Sequence, residues 1–482
     1  MMIALNLING KWVEGQSKRF AASINPANSE QIGKFVDSDS VDAQIAIEAA
    51  KNAFHHGTWA HQPRLRQLVL LDWASRLEQR IEPLAQLLTQ ENGKVIAQSR
   101  GEVLGAISEI RYYAGLARHI PGNFFEVEPG VYTSILKEPA GVAGLIIPWN
   151  APIVLLIRAL APAMAAGCTS IIKSAPQTSQ ITAAVLASLN EVTTLPPGVV
   201  NLVSEKGHQA AAALVESNDV DVISFTGSNQ TGQRIMAAAA PTMKKLSLEL
   251  GGKSCCLVFN DVNIIEVATK LVTAAIIISG QQCTAARRIL VHESCYEEMK
   301  VALTNAVKSV KVGFGQDENM NMGPLIDSIA LTRVNTEIER SFDLCDEVLV
   351  RGGRLGGEFS RGNFISPSLI AHQDDNAFFC QEEIFGPLIV LESFSDEKHA
   401  VAKANNTEYG LSASVWTNDG NRSLRIARAL RNGTVWINDH NKLFAEAETG
   451  GYRKSGLGRL HGFDALIDFT EIKTIYQNAG VV

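Results

Sequence analysis

The sequence predicts an α/β protein with two parallel-sheet domains. Between residues 142 and 239, four short apolar runs alternate with four helical stretches, which is the pattern of a parallel sheet flanked by helices. A second alternating stretch runs from about residue 254 to residue 435. The chain has 482 residues. At roughly 150 residues per domain, that length allows two to three domains with cores of their own.

Each predicted element follows from its own apolar spacing. Helices are predicted where apolar residues recur every three or four positions, and strands where short apolar runs end at Gly or Pro. The first half gives helices 41–54, 64–91 and 101–118, a strand 131–136, and strand–helix pairs 142–147 and 154–166, 169–173 and 178–189, 199–203 and 208–215, and 222–225 and 232–239. The second half gives elements 255–259, 264–278, 289–292, 296–307, 348–350, 388–391, 412–416, 423–430 and 434–437, and an edge strand 468–476.

The composition is that of a soluble globular protein. Hydrophobic residues make up 46% of the chain and charged residues 19%. Lys and Arg number 43 and Asp and Glu 50, without a long basic stripe, which argues against nucleic-acid binding. Seven cysteines, an odd number in a chain of this length, indicate a reducing compartment rather than a disulfide framework. We therefore expect a cytoplasmic protein.

The most apolar stretch, residues 141–172, is too interrupted to cross a membrane. Pro148, Arg158 and Pro162 break it well short of the roughly 20 apolar residues that a spanning helix needs. The chain also starts without the basic region and long apolar run of a secretion signal. We expect a buried strand and a buried helix here, and no membrane contact.

Of two glycine motifs that could bind a phosphate, one fails on its spacing. Gly252-Lys253-Ser254 is not a nucleoside-triphosphate loop, because Ser247 stands where that loop requires glycine. Residues 227–232 form a glycine turn between a predicted strand and a predicted helix, and a helix N-terminus there would suit a phosphate. Many such turns only connect a strand to a helix. For residues 227–232, phosphate binding and a plain connection therefore both stay open. No His/Cys set has zinc spacing, and we expect no metal.

Cys283 lies in a predicted loop between a helix that ends near Ser279 and a strand that starts near Arg288. A loop thiol acts as a nucleophile where a neighbouring field stabilises its thiolate. The alternative is a small buried hydrophobic residue, an interpretation that also suits the other six cysteines.

Three more polar side chains follow predicted strands. Glu249 is expected to be desolvated, which would raise its pKa and make it a candidate general base; the alternative is an ion pair with Lys244 or Lys245. Asn150 would donate to an oxyanion or cap the next helix. Lys173 ends a strand at the edge where α/β sheets bind ligands, unless it is simply solvated.

Taken together, these segments resemble the NAD(P)-dependent aldehyde dehydrogenase superfamily. The matching motifs, in the order and approximate spacing of that family, are Pro148-Trp149-Asn150, Lys173, Phe225-Thr226-Gly227-Ser228, Glu249-Leu250-Gly251-Gly252-Lys253, Gly280-Gln281-Gln282-Cys283, Glu383-Ile384-Phe385-Gly386-Pro387 and Gly450-Gly451-Tyr452-x-x-Ser455-Gly456. The resemblance covers nearly the whole chain. It implies a Rossmann-like cofactor-binding domain at 1–120 and 140–251, a catalytic domain at 252–451, and a small β oligomerisation element with the C-terminal tail at 121–139 and 452–482.

The resemblance also implies a role for each motif. Cys283 would be the nucleophile, Glu249 the general base, and Asn150, with the Cys283 backbone N–H, the oxyanion site. The implied cofactor is NAD, with NADP as an alternative, and its implied binding residues are Ile147, Pro148, Trp149, Lys173, Gly207, Phe225, Thr226, Gly227, Ser228, Leu250, Glu383 and Phe385. The implied substrate-pocket residues are Ala151, Leu155, Ile277, Gln282, Thr284, Leu443 and Thr449.

The implied reaction is oxidation of an aldehyde to the carboxylic acid through a cysteine thiohemiacetal and a thioester. General aliphatic or aromatic aldehydes are the expected substrates, and a homodimer or homotetramer is the expected assembly. Amino or betaine aldehydes are a second possible substrate class, because Asp439, Glu446 and Glu448 would give the pocket an acidic mouth. Three different functions compete with this reaction: a CoA-acylating dehydrogenase, which generally lacks the glutamate, a cofactor-independent cysteine hydrolase, and an inactive binding protein.

One departure from the family bears on the cofactor. NAD-preferring relatives often carry a glutamate where Pro176 stands in this chain. That acid would repel a 2′-phosphate, and its absence leaves NADP possible.

Overall fold

The computed structural model describes residues 2–482, and these residues form two large sheets with three smaller ones. The strands, in chain order, are β1 (Met2–Ala4), β2 (Asn6–Ile8), β3 (Lys11–Val13), β4 (Phe20–Ile24), β5 (Gln31–Val36), β6 (Asn123–Glu128), β7 (Val131–Pro139), β8 (Val142–Ile146), β9 (Thr169–Ser174), β10 (Val200–Ser204), β11 (Val222–Thr226), β12 (Lys245–Glu249), β13 (Cys255–Val258), β14 (Arg288–His292), β15 (Glu347–Val350), β16 (Gly353–Arg354), β17 (Ile365–Ser366), β18 (Ser368–Ala371), β19 (Leu388–Phe394), β20 (Ser412–Trp416), β21 (Thr434–Ile437), β22 (Gly456–Leu457) and β23 (Thr470–Asn478).

Fourteen α-helices accompany these strands within the described range. They are α1 (Ser40–His56), α2 (Pro63–Glu78), α3 (Ile81–Asn92), α4 (Ile96–Leu116), α5 (Pro152–Ala166), α6 (Ser179–Asn190), α7 (Gln209–Glu216), α8 (Asn229–Ala239), α9 (Ile264–Ile276), α10 (Tyr296–Lys308), α11 (Ser328–Leu344), α12 (Phe378–Gln381), α13 (Glu397–Asn405) and α14 (Gly420–Ala429).

The first large sheet has eight strands in the order β22-β12-β11-β8-β9-β10-β2-β3. Its five central strands run parallel, whereas β22 and the β2–β3 hairpin join antiparallel at opposite edges. Helices α2, α4, α5 and α6 cover one face, and α1, α7 and α8 cover the other. Because both faces are covered, the central strands are almost continuously apolar, which is why the sequence predicted them well.

The second large sheet has seven strands in the order β15-β18-β19-β14-β13-β20-β21. All its pairs are parallel except β15–β18. Three apolar clusters pack α9 to α14 against it. The predicted fold class, α/β with two parallel-sheet domains, is confirmed.

A three-stranded sheet, β23-β7-β6, lies outside both large sheets. Strand β23 pairs with β7 over nine residues, from Thr470 opposite Pro139 to Asn478 opposite Val131. Strands β6 and β23 are its edges, and both are mostly exposed. The bounds given above for the three parts of the chain stay a prediction. Strand β22, inside the predicted C-terminal tail, belongs to the first large sheet.

Several predicted elements have different limits in the structure. The single helix predicted over 64–91 is two helices, because Pro83 would clash with the carbonyl of Gln79 in a continuous helix and has no N–H to donate. The helix predicted over 264–278 ends at Ile276, because Ile278 and Ser279 adopt positive φ. The last strand starts at Thr470 rather than 468. Strands β1 to β6 were not predicted from the sequence.

No helix within residues 2–482 combines the length and hydropathy needed to span a membrane.

Candidate active site

The candidate site lies where the carboxyl ends of adjacent parallel strands meet, the usual position of ligand sites in α/β sheets. Strands β12, β11 and β8 are neighbours in the first sheet. Glu249 is the last residue of β12, Thr226 is the last residue of β11, and Asn150 follows β8 by four residues. Cys283 comes from the other large unit, in the connection between α9 and β14.

The connection that carries Cys283 is held by backbone geometry. Gly280 has φ +76°, and a Cβ there would lie 2.6 Å from the carbonyl carbon of Gly386, so this close approach requires glycine. Arg287 donates to the carbonyl of Gly280 and, at 2.7 Å, to that of Gly386. The Nε2 of His440 lies 2.7 Å from the carbonyl oxygen of Thr284. The nucleophile loop is therefore fixed on both sides of Cys283.

Cys283 itself is a half-buried, free thiol. Burial raises its pKa to about 12, the nearby carboxyl groups of Glu383 and Glu249 add to the rise, and the positive charge of Arg158 opposes it. The thiol is therefore protonated at neutral pH and needs a base to become a nucleophile.

Glu249 is the candidate base, and it is deeply buried. Burial raises its pKa well above the ordinary value, and the charge of Arg459 only partly opposes this. Its Oε1 atom is buried and has no hydrogen-bond partner among the described residues. The alternative pairing with Lys244 or Lys245 is wrong. Lys244 donates to backbone carbonyls, and Lys245 pairs with Glu471 at 3.2 Å.

Asn150 is 7% exposed, and its side chain points toward the nucleophile loop. Its Nδ2 donates to the carbonyl of Gln281 at 3.0 Å. An amide nitrogen has two hydrogens, so one remains for another acceptor. The alternative that Asn150 caps the next helix is wrong, because the cap of α5 is Ala151 and no side chain bonds there.

Two cavities meet at these residues. One, of ≈ 400 Å³, is lined by predicted cofactor residues such as Glu383, and we call it the cofactor-side cavity. The other, of ≈ 380 Å³, is lined by predicted pocket residues such as Leu155, and we call it the substrate-side cavity. Both volumes are in the range of small-molecule sites. Four residues line both cavities: Asn150, Thr226, Glu249 and Cys283. A thiol, a carboxyl group and an amide donor thus stand at the boundary between two ligand-sized spaces.

The cofactor-side cavity is lined by eight of the twelve predicted cofactor residues. They are Pro148, Trp149, Thr226, Gly227, Ser228, Leu250, Glu383 and Phe385. Ser228 caps α8, its side chain accepting from the Thr231 N–H at 3.3 Å. A Cβ on Gly251 would lie 2.4 Å from Oε2 of Glu383. The backbone therefore approaches the carboxylate as closely as only glycine permits.

Glu383 and two aromatic side chains complete this cavity. The Glu383 Oε1 atom accepts the Gly252 N–H at 3.0 Å, and burial raises the pKa of its carboxyl group. The rings of Trp149 and Phe385 meet edge to face with centroids 5.7 Å apart. Arg333, which was not predicted from the sequence, also lines the cavity and donates to the carbonyl of Ile384 at 2.8 Å.

The other four predicted cofactor residues lie outside the lining of that cavity. Ile147 is buried and donates its N–H to the Lys173 carbonyl at 3.0 Å. Lys173 is 8% exposed, so the alternative of a solvated lysine is wrong; its Nζ lies 3.7 Å from Oε1 of Glu205. Phe225 is buried within β11, and Gly207 is exposed between β10 and α7.

The substrate-side cavity is lined by all seven predicted pocket residues. They are Ala151, Leu155, Ile277, Gln282, Thr284, Leu443 and Thr449. The acids predicted for its mouth, Asp439, Glu446 and Glu448, are not among its lining residues. Glu448 instead accepts the backbone N–H of Phe463 at 2.8 Å.

A model of the aldehyde dehydrogenase family matches residues 12–475 of this chain. The chain belongs to the aldehyde dehydrogenase family. A betaine aldehyde dehydrogenase of Bacillus subtilis is 35% identical to this aldehyde dehydrogenase over 474 residues, 98% of this chain and 96% of that protein. A phenylacetaldehyde dehydrogenase of Pseudomonas fluorescens is 35% identical over 482 residues, 97% of this chain and 95% of that protein.

Solved structures of the family share the whole fold. A betaine aldehyde dehydrogenase of Staphylococcus aureus, in complex with NAD+, matches this aldehyde dehydrogenase with a TM-score of 0.95 at 32% identity, covering 99% of this chain and 95% of that chain. The predicted enzyme class, an oxidoreductase that acts on aldehydes, is therefore confirmed.

The charged residues of the substrate-side cavity of this aldehyde dehydrogenase were not predicted from the sequence. Lys94, Glu102 and Arg158 all line it. Lys94 and Glu102 form an ion pair, and Lys94 also donates to the Asn150 carbonyl at 2.8 Å. For Arg158 a signal was available, because it is the single charged residue of the otherwise apolar helix α5. A charge in such a helix needs a partner or a function.

Proposed function

We propose that this aldehyde dehydrogenase oxidises aldehydes to carboxylic acids with NAD+, using Cys283 as nucleophile, Glu249 as general base and Asn150 as oxyanion donor. The observation that carries the proposal is the meeting of two cavities at these three side chains. A reaction that passes a hydride from one bound molecule to another needs this arrangement. Its reacting carbon must touch the nucleophile and the hydride acceptor together.

The first step is addition of Cys283 to the aldehyde. Because the pKa of the thiol is raised to about 12, its proton must pass to a base or to water as the sulfur attacks. The new C–S bond turns the carbonyl oxygen into an alkoxide. The free N–H of Asn150 and the backbone N–H of Cys283 stabilise this charge away from bulk water.

The cofactor-side cavity fits a nicotinamide dinucleotide. The N-terminus of α8 with Gly227 and Ser228 suits a pyrophosphate, and Glu383 suits a ribose hydroxyl. Trp149 and Phe385 give an apolar wall for a nicotinamide ring. Bound NAD+ supplies the acceptor for the hydride that the tetrahedral carbon loses. Cys283 then holds the acyl group as a thioester.

The second step is hydrolysis of the thioester. Glu249 takes a proton from a water molecule, the hydroxyl attacks the acyl carbon, and the C–S bond breaks as Glu249 returns the proton to the departing sulfur. The products are the carboxylic acid and the free thiol. Glu249 also argues against a CoA-acylating enzyme, because a buried carboxylate beside the thioester serves attack by water.

We propose NAD rather than NADP as the preferred cofactor. Pro176 offers no acid, but the fully buried Glu205 lies 3.7 Å from the ammonium group of Lys173. Its carboxylate also accepts the N–H groups of Ala210 and Ala211 at the start of α7. If Lys173 holds the adenosine ribose, Glu205 occupies the donors that a 2′-phosphate would need and repels its charge.

We also propose a homodimer or homotetramer located in the cytoplasm. The edge strands β6 and β23 expose large apolar side chains: Phe124 66%, Phe125 46%, Val127 55%, Ile472 68%, Ile475 47% and Tyr476 63%. Exposed apolar edge strands are usually covered by another chain. A second subunit would cover them here.

An initial-rate panel tests the function. Aliphatic and aromatic aldehydes are incubated with NAD+ or NADP+, and reduced nicotinamide is followed by absorbance. We expect turnover with NAD+ without CoA, and loss of turnover in Cys283→Ala with NAD+ binding retained in calorimetry. Ester hydrolysis by a protein that forms no NADH from any aldehyde would support the cysteine hydrolase instead. NAD+ binding without any turnover would indicate an inactive member.

A further inference from the structure

Arg158 presents unused hydrogen-bond donors to the substrate-side cavity. It lies one turn along α5 from Val154 and Leu155, which line the same cavity. Its Nε donates to Oε1 of Glu109 at 3.2 Å. Neither terminal nitrogen of Arg158 has a hydrogen-bond partner among residues 2–482, and neither is fully buried. A guanidinium has five N–H donors, so four of them remain available at the cavity.

Glu109 holds the Arg158 side chain, and His461 lies against Glu109. The Nδ1 atom of His461 lies 2.5 Å from the same Glu109 oxygen, and both side chains are almost fully buried, at 1% and 4% exposed. Burial alone raises the pKa of Glu109, but the His461 hydrogen bond and the Arg158 charge outweigh it and hold the pKa below its ordinary value. Glu109 is therefore a carboxylate that orients the guanidinium fork.

The other charged groups of the cavity are already satisfied. Lys94 and Glu102 pair with each other, and Glu102 also accepts the Ile153 N–H at 2.8 Å. Glu249 has a raised pKa and is kept for the reaction. The other lining residues are uncharged, with aliphatic side chains and amide or hydroxyl groups such as those of Gln98 and Asn441. Arg158 is thus the charged group of this cavity that still has donors for a substrate.

We propose that Arg158 selects aldehydes that carry a carboxylate at the end remote from the reacting carbon. A planar fork with two free terminal nitrogens matches the two oxygens of a carboxylate, and such paired, charge-assisted bonds are stronger in a partly dehydrated cavity. A cationic end would be repelled by the guanidinium. The inference rests on the proposed function and names a preferred substrate class within it.

The test compares matched aldehydes within each protein. The pairs are glutaric semialdehyde against pentanal, and para-carboxybenzaldehyde against para-methylbenzaldehyde. In the wild type we expect kcat/KM to favour the carboxylate by about ten- to a hundredfold, mostly through KM. In Arg158→Gln this ratio should fall to near one, and in Arg158→Lys, which keeps the charge without the fork, it should be intermediate. The ratio is internal to each variant, so general damage to the fold cancels.

Two controls separate this inference from the proposed function. Arg111→Gln, an exposed arginine paired with Glu78, should keep the wild-type ratio. Calorimetry should show that pentanoate binds the wild type more tightly than pentanamide does, and that Arg158→Gln loses the difference. This binding test stands even if no aldehyde is oxidised. Equal kcat/KM values in the wild type, an unchanged ratio in Arg158→Gln, or an equal preference for a hydroxylated aldehyde would overturn the carboxylate assignment.

Discussion

Replacing Glu249 with Gln should uncouple the two halves of the reaction. The amide keeps the shape of the side chain but accepts no proton. Cys283 should still form the thioester, and water should then attack it slowly. Since a general base contributes roughly 100- to 10,000-fold, the steady-state rate should fall by that factor, which is about 2.7 to 5.4 kcal/mol in activation free energy.

The assay is rapid mixing of the variant with aldehyde and NAD+. We expect a burst of NADH close to one per active site, followed by a slow steady state. Glu446→Gln, which changes an exposed glutamate outside both cavities, should behave like the wild type. A wild-type steady-state rate in Glu249→Gln would refute the base assignment. Loss of the burst would assign Glu249 to activating the thiol.

The raised pKa of Glu249 gives the same variant two pH signatures. In the wild type, hydrolysis should speed up as pH rises through that pKa, and in Glu249→Gln this dependence should vanish. The folded protein holds the Glu249 proton more tightly than the unfolded chain does. The wild type therefore loses stability as pH rises from the unfolded pKa to the raised folded one. The free energy of unfolding of Glu249→Gln minus that of the wild type should grow over this window, by up to about 1.4 kcal/mol per pH unit.

Three further changes test separate parts of the molecule. Asn150→Ala should slow single-turnover thioester formation by roughly 100- to 1000-fold, and an unchanged rate would remove Asn150 from the oxyanion site. Glu392 pairs with the fully buried Arg288 through bonds of 2.6 and 2.8 Å. Glu392→Ala should therefore cost about 3–5 kcal/mol in denaturant unfolding, and less than about 1 kcal/mol would contradict the argument. Light scattering should find an oligomer that becomes a monomer when 470–478 is deleted, and a monomeric full-length chain would refute the proposed assembly.

The fold was predictable where local pattern and burial agree. The predicted strand 169–173 is observed as Thr169–Ser174, because a strand buried on both faces is apolar at nearly every position. The N-terminal strand Asn6–Ile8 was not predictable in this way. It has three residues, and it exists because Leu7 pairs with Leu202, almost 200 positions away. Local pattern carries no signal for such a pairing.

The candidate site divides along similar lines. Family motifs led to Cys283, Glu249 and Asn150, and the structure places them together. The Arg158–Glu109 pair joins two helices across 49 positions of sequence. The sequence around either residue therefore does not indicate which residue it pairs with. The same limit explains why the predicted acidic mouth is not seen. Glu448 lies in the segment that was expected to border the substrate pocket. Its carboxylate instead accepts the backbone N–H of Phe463, and this contact could be known only from the fold.

The short strand β22 makes the active site depend on a segment that is synthesised long after Glu249. Gly456 pairs with Glu249, and the carbonyl of Ser455 accepts the Leu250 N–H at 2.9 Å. A Cβ on Gly456 would lie 2.1 Å from the Leu248 carbonyl oxygen. A nascent chain on the ribosome can form the central strands of the first large sheet early. The edge of β12 next to Glu249 stays unpaired until residue 457 has been synthesised. Chains truncated before residue 457 should therefore be inactive and expose an unpaired sheet edge, and quality-control proteases are suited to degrade them.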